Sequence, residues 1–248
     1  MRLLEEETSE FNQISVYETS ELYGRTGKYR VLQFADGAVQ GAMDMKDPQR
    51  VVLEYQRGII HLINGNEPVT GNVFLIGHGI GTIAAQCPDK RFVTAEIDEK
   101  VVQISGRLFH CPMNRVIVGD GRHILAEQQP GVFDYIVLDA FNSKGTPKHL
   151  TSLEFFRIAT DKLRPGGAII LNLAGKARND RLSAAIHTTL RETCSYTRAF
   201  FLPVEGAGAD DSGNLIMTGS NRPIHAHPRL MEGFAEIEMG QGHMIRDS

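Results

Sequence analysis

The 248-residue sequence has no tryptophan, only three cysteines and 7% aromatic residues. Cys87, Cys111 and Cys194 fall at no paired spacing and beside no histidine motif. A disulfide framework is therefore not expected, and the thiols read as reduced and mostly buried in a cytoplasmic protein. No apolar run approaches the roughly 20 residues that span a bilayer. The opening Met1-Arg-Leu-Leu-Glu-Glu-Glu7 turns acidic where a signal peptide would become apolar, so a soluble chain without a membrane partner is expected. Positive charge is not in excess either: 26 Lys and Arg face 30 Asp and Glu, a formal charge of −4. That argues against nucleic acid, whose binding calls for a basic face. Internal repeats are missing, and His225-Ala-His227 is too close-spaced and isolated to suggest a metal site, so no metal is expected.

What the chain does have is glycine at alternate positions after an apolar run. Val73-Phe-Leu-Ile-Gly77-His78-Gly79-Ile80-Gly81-Thr82 reads as a strand running into a tight turn. Glycines there let the backbone turn sharply and bring its N–H groups close to a ligand, which makes Gly77, Gly79 and Gly81 candidates for cofactor binding. The G-x-G-x-G spacing differs from the G-x-G-x-x-G of nicotinamide and flavin folds. Nineteen residues beyond Gly77, a second apolar strand closes on Glu96 and Asp98. An acidic side chain about 20 residues after such a turn accepts hydrogen bonds from both ribose hydroxyls in Rossmann-like sheets, and Glu96 is the candidate. The alternative is that Glu96 and Asp98 cap the helix starting near Glu99.

Residues 12–17 and 29–35 alternate as half-buried strands, with Asp36-Gly37 as a hairpin signal. Residues 47–63 read as a helix beginning at Asp47-Pro48, with Val51, Val52, Tyr55, Ile59 and Leu62 at helical spacing. Residues 64–68 break the chain and suggest a boundary, giving an N-terminal β unit with its connecting helix over 1–65, a catalytic domain over 66–224 and a polar tail over 225–248 to which no role is assigned. Within the middle part, strands are predicted at 72–77, 91–96, 115–118, 133–138 and 167–173. They alternate with helices at 80–86, 99–109, 121–128, 151–162 and 178–191, and strands 197–202 and 214–218 should form an antiparallel edge hairpin. Arg164-Pro-Gly-Gly167 reads as the turn into the fifth strand. The pattern is α/β: a seven-stranded, mainly parallel Rossmann-like sheet of the S-adenosylmethionine-dependent transferase type, with a small N-terminal β domain and right-handed crossovers.

Two further carboxylates fall at strand ends, where open α/β sheets bind ligands. Asp120, in Val118-Gly-Asp-Gly121, could accept a hydrogen bond from an adenine amino group, with Gly121 leaving room for the base; the alternative is an N-cap for the next helix. Asp139 ends the apolar run Tyr135-Ile-Val-Leu. Beside a sulfonium it could accept the proton of an amine nucleophile, which at a pKa near 10.4 is otherwise protonated at neutral pH; alternatively it orients the loop. His78 reads as a plain loop residue, His149 falls in a lid segment, and Lys144-Gly145 suggests a loop able to close over ligand.

Gln13 before a strand, Asp36-Gly-Ala-Val-Gln40, Glu54, the glycine turn, Ala95-Glu-Ile-Asp-Glu99, Gly119-Asp-Gly121 and Asp139 occur in an order that resembles the spermidine synthases, the polyamine aminopropyltransferases. The likeness covers roughly residues 10–220. The stretch from Asp139-Ala-Phe-Asn142 through Pro147-Lys-His-Leu-Thr151 to Glu154-Phe-Phe looks more like the bacterial spermidine synthase-like branch. The resemblance implies that Gln13, Glu96, Asp120 and Gly121 contact the nucleoside of decarboxylated S-adenosylmethionine and that Asp139 is the catalytic base. It further implies that Gln40, Val52 and Asn142 lie on the amine-acceptor side, and that the chain forms a homodimer or homotetramer. Departures accompany the likeness. Ile80 stands where the family usually has Asp, and Val52-Leu53 where it has Tyr followed by His or Gln. Asn142 replaces the second Asp of a D-x-x-D motif, and the later acceptor-binding Tyr is replaced near Asp210. These remove polar partners for two ammonium groups, each worth several kcal/mol when buried, and argue against putrescine as acceptor. An S-adenosylmethionine-dependent methyltransferase and a non-catalytic nucleoside-binding protein remain competing readings.

Overall fold

The computed structural model describes residues 1–248 apart from 36, 67–70, 112–115, 143–144, 204–211, 232 and 248. The first layer is antiparallel, with β1 (Arg2–Thr8), β2 (Gln13–Leu22), β3 (Arg25–Phe34) and β4 (Val39–Asp44) paired in chain order. Alternation in β2 sends Ile14 and Val16 into a fully buried position, where with Leu32 they pack on Val101, Ile104 and Phe109 of α3 (Glu99–Phe109). β1 was not foreseen, since three consecutive glutamates read as polar chain. It is an edge strand that uses them: Glu7 pairs with Lys100 at 2.9 Å and Glu5 with Arg107, tying this sheet to α3. Of the expected turn pair, Gly37 adopts φ +85°, and Asp36 lies outside the described residues.

The helix expected over 47–63 is shorter. α1 spans Glu54–Asn64, because Val51 bridges to Met43 at the end of β4 and holds the backbone extended until Leu53. Tertiary pairing here overrides the Asp-Pro start signal and the helical spacing of Val51 and Val52.

The second sheet carries β5 (Gly71–Ile76), β6 (Lys90–Glu96), β7 (Val116–Val118), β8 (Phe133–Leu138), β9 (Leu163–Lys176), β10 (Tyr196–Pro203), β11 (Ser212–Ser220) and β12 (Ala235–Ile237), in the order β12-β10-β11-β9-β8-β5-β6-β7. The run β9-β8-β5-β6-β7 is parallel, while β11, β10 and β12 add antiparallel pairings at one edge. Seven strands match the expectation; the eighth, β12, comes from the stretch to which the sequence assigned no role. Its Ala235 to Ile237 pair with Ala199 to Phe201 of β10. Residues 164–167 form a bulge inside β9 rather than a turn before it: Phe133 pairs with Leu163 but Tyr135 with Ala168.

Both faces of the central parallel strands are covered. Along β5, Phe74 and Ile76 join the cluster that holds Phe155 and Phe156, on α5 (Leu153–Lys162). Val73 and Leu75 join Ile59 and Leu62 of α1 on the other face. Each such fully buried side chain contributes about 1.5–3 kcal/mol relative to exposure. The chain leaves β5 toward β6 and returns at β8 on its other side, so the strand order reverses between β5 and β8. Open α/β sheets bind ligands beyond the strand tips at such a reversal.

Candidate active site

A cavity of about 740 Å³ opens at that reversal, lined by Gly77, Gly79, Glu96, Asp120, Gly121 and Asp139 among others. The turn after β5 lies close over the tip of β8: Gly77 has φ +97°, and a Cβ there would stand 2.0 Å from the Asp139 carbonyl oxygen. Only glycine permits that approach. The strand tips are also tied by backbone bonds, Asp139 N–H donating to the Ile76 carbonyl at 2.8 Å and Gly77 N–H to the Ala95 carbonyl at 2.9 Å.

Glu96, at the end of β6, accepts the His78 N–H on Oε2 at 2.8 Å and the Asp98 N–H on Oε1 at 3.0 Å. Burial pushes its carboxyl above the usual range, against the pull of those two amides. The carboxylate is thus fixed at the cavity wall with lone pairs left for further hydrogen-bond donors. Asp98 takes the capping role weighed for it: it caps α3 through the Lys100 N–H. Asp120 does two things at once. Its Oδ1 accepts the His123 N–H and caps α4 (Gly121–Ala126), while its Oδ2 meets His149 Nε2 at 2.8 Å across the cavity mouth.

Asp139 is partly buried. Its Oδ1 accepts from Asn172 Nδ2 at 2.8 Å, Asn172 in turn accepts from Asn214 Nδ2 at 3.2 Å, and the Tyr55 hydroxyl donates to the same carboxylate. Burial pushes the carboxyl up to about 6 even though both hydrogen bonds pull it down. A second cavity of about 740 Å³ lies beyond, lined by Val52, Asn172, Asn214 and others. The two cavities share Phe34, Gln40, Tyr55, Phe141 and Asn142 as walls. Asp139 therefore sits where they adjoin, bonded to a wall of each.

Not every candidate from the sequence reaches this place. Gln13 is exposed, pairs with Glu6 at 2.6 Å and is not among the residues lining either cavity. Gly81 caps α2 (Thr82–Ala85) in the left-handed region, and its missing Cβ makes room for Cys111 Sγ rather than for a ligand. Val52 lines the second cavity alone. Ile80 is buried in the cluster with Ile14 and Leu32, against Gly41, which explains how an apolar residue is accommodated in the turn. His78 is more than a loop residue: it is 7% exposed, its Nε2 meets Ser105 Oγ at 2.8 Å, and burial lowers its pKa to about 4. Of the lid pair, Lys144 lies outside the described residues, as does Asp210.

Tyr55, Asn172 and Asn214 were missed as site residues. Tyr55 was absorbed into a helical apolar stripe. Asn172 carried a usable signal, a lone amide inside Ala168-Ile-Ile-Leu-Asn-Leu173, and it is fully buried. Arg246 and Asp247 were missed as well; nothing local marks them, yet both line the first cavity.

Comparison with known proteins adds the following. The model of the spermine/spermidine synthase domain matches residues 52–209. The chain is 29% identical to the spermidine synthase of Schizosaccharomyces pombe over 173 residues, 65% of this chain and 53% of that protein. It is 30% identical to putrescine N-methyltransferase 1 of Nicotiana tabacum over 179 residues, 68% of this chain and 44% of that one. It spans about half the length of these curated relatives. Among solved structures, a probable spermidine synthase from Corynebacterium glutamicum superposes with a TM-score of 0.81 at 19% identity, covering 99% of this chain and 96% of that one. At that identity the likeness speaks for the fold.

Proposed function

This chain belongs to the spermine/spermidine synthase family, and from that premise we propose that it transfers an aminopropyl group from decarboxylated S-adenosylmethionine to an amine, with Asp139 as general base. The observation that carries the reading is the place of Asp139: a partly buried carboxylate where two cavities adjoin, held by Asn172 and Tyr55. In the proposed step the amine lone pair attacks the methylene carbon attached to the sulfonium. The N–C bond forms, the C–S bond breaks, and its electron pair goes to sulfur, leaving a neutral thioether nucleoside. The proton lost by nitrogen goes to the Asp139 carboxylate. A carboxyl at about 6 is mainly ionised at pH 7 and is a stronger base than an ordinary aspartate.

On this reading the donor lies in the first cavity, its ribose on Glu96 and its purine toward Asp120, and the amine enters from the second. Gln40 and Asn142, shared by both, flank the reacting atoms, and Val52 borders the amine alone. Holding both reactants across the junction supplies most of the rate, since orientation converts an encounter into an internal step.

Methyl transfer from S-adenosylmethionine is the second reading, favoured by one observation. Ile80 is buried in the core, so this position offers no acidic partner to an aminopropyl ammonium. Mass spectrometry of products formed from each donor with a panel of mono- and polyamines decides. Aminopropylated product from the decarboxylated donor is expected; methylated product from the intact donor would replace the first reading. Turnover with neither, despite nucleoside binding, would leave a binding protein. In the active assay Asp139→Asn is expected to lower kcat by about 100- to 10,000-fold, the usual contribution of a general base, with nucleoside affinity retained.

A further inference from the structure

We propose that residues 245–247 close the purine end of the donor cavity by holding the loop that carries His149, which makes Asp247 and Arg122 positioning residues for donor binding; the proposal rests on the nucleoside reading above. The segment leading there is anchored along its length. Arg198 grips Glu236 of β12 at 2.7 and 2.8 Å. The Gly242 N–H donates to Thr188 Oγ1 at 2.8 Å and the Ile245 N–H to Thr189 Oγ1 at 2.9 Å, both hydroxyls belonging to α6 (Arg181–Arg191). The Ile245 carbonyl accepts the Leu153 N–H at 2.9 Å, and the Ile245 side chain is buried among Phe155 and Phe156.

Past this anchor the chain turns to the cavity wall. The Asp247 N–H donates to Glu154 Oε2 at 2.9 Å, and the Asp247 carboxylate takes a two-pronged hydrogen bond from Arg122 at 2.9 and 2.6 Å. The same guanidinium donates to the His149 carbonyl at 3.0 Å, and the His149 ring reaches Asp120 at 2.8 Å. The four residues in this chain of bonds, Asp247, Arg122, His149 and Asp120, all line the cavity, as does the neighbouring Arg246. The Arg122 side chain is only 20% exposed and the pairing is bidentate, the geometry in which an arginine-carboxylate contact fixes orientation as well as adding energy. Arg122 and Ser152 hold the Asp247 carboxyl down at about 2, so the clasp stays charged throughout the working pH range. A singly bonded surface ion pair contributes little; Asp247 is itself 38% exposed, and it is the two-pronged geometry that sets this pair apart.

The test compares the full chain with Asp247→Ala and Asp247→Glu. Calorimetry with 5′-methylthioadenosine and with adenosine is expected to show about tenfold weaker binding of both to Asp247→Ala, since both carry the purine; tenfold corresponds to about 1.4 kcal/mol. Asp247→Glu is expected to regain most of the affinity. In turnover, KM for the donor should rise about tenfold while kcat changes less than about twofold, the signature of a lost binding contact. Amide exchange at 148–150 should quicken in Asp247→Ala with the thermal midpoint unchanged. Nucleoside binding by the full chain that the alanine variant leaves intact overturns the clasp alone. Failure of the full chain to bind either nucleoside overturns the nucleoside reading and the clasp with it.

Discussion

Asp139 and its neighbours make the sharpest case at the scale of single residues. The carboxyl at about 6 is set mainly by burial, with Asn172 and Tyr55 pulling the other way. Turnover at low substrate should therefore fall as pH drops through about 6, read as the acid limb of the kcat/KM profile. Tyr55→Phe removes one of the two stabilising hydrogen bonds, so the limb is expected to move to higher pH, and a limb that stays in place would assign it to another group. Glu96 belongs to the same scale. Glu96→Gln keeps the shape but loses the charge that would grip two hydroxyls, and hydrogen bonds to a charged group are worth about 1.5–3 kcal/mol. The expected result in a nucleoside titration is binding weaker by about 10- to 100-fold. Asp120 shows how one side chain serves two contacts: the capping alternative holds through Oδ1, while Oδ2 meets the His149 ring at the cavity that Asp120 lines.

At the scale of elements, the turn after β5 is where local geometry and the site meet. Gly77→Ala places a methyl group 2.0 Å from the Asp139 carbonyl at a backbone φ of +97°, so the tip of β8 must move. A loss of at least about 2 kcal/mol is expected from the backbone conformation and the contact together, measured as a lower urea midpoint, with nucleoside binding lost in parallel. The elements read incorrectly share one cause. Val51 and Val52 have helical spacing, yet the bridge to Met43 keeps them extended. The acidic stretch of β1 has no strand alternation worth reading, yet pairing with β2 and ion pairs to α3 make it one. β12 is three residues long and gains its stability from a partner whose location no local pattern announces. Elements with strong period and clean stops, such as β5, α3 and β8, were legible because burial on both faces or on one stripe writes itself into the order of residues.

At the scale of the whole molecule, two titrating groups act against each other as pH changes. Asp139 is raised from 3.8 to about 6, so the stability it contributes is present below 3.8 and is lost as pH rises through about 6. His78 is lowered from 6.5 to about 4, so its contribution is present above 6.5 and is lost as pH falls through about 4. Across that window the two slopes have opposite sign. Asp139→Asn removes one of them, and its stability relative to the parent is expected to improve by roughly 1–3 kcal/mol between pH 4.5 and pH 7.5, read from denaturant unfolding at both values. A difference independent of pH would show that Asp139 does not titrate as assigned.

By itself, the order of residues determined the α/β class, the parallel run of strands and the glycine turn with Glu96, Asp120 and Asp139 at the strand tips. These follow from period, from runs of apolar residues and from short-range spacing, all of which are local. Tertiary structure alone decided that Tyr55 and Asn172 hold Asp139 where two cavities adjoin, that Gln13 and Gly81 stand apart from them, and that Asp247 reaches Arg122 from 125 positions away. Such contacts depend on where separate elements come to rest once their apolar faces are buried. Spacing along the chain carries no record of that distance.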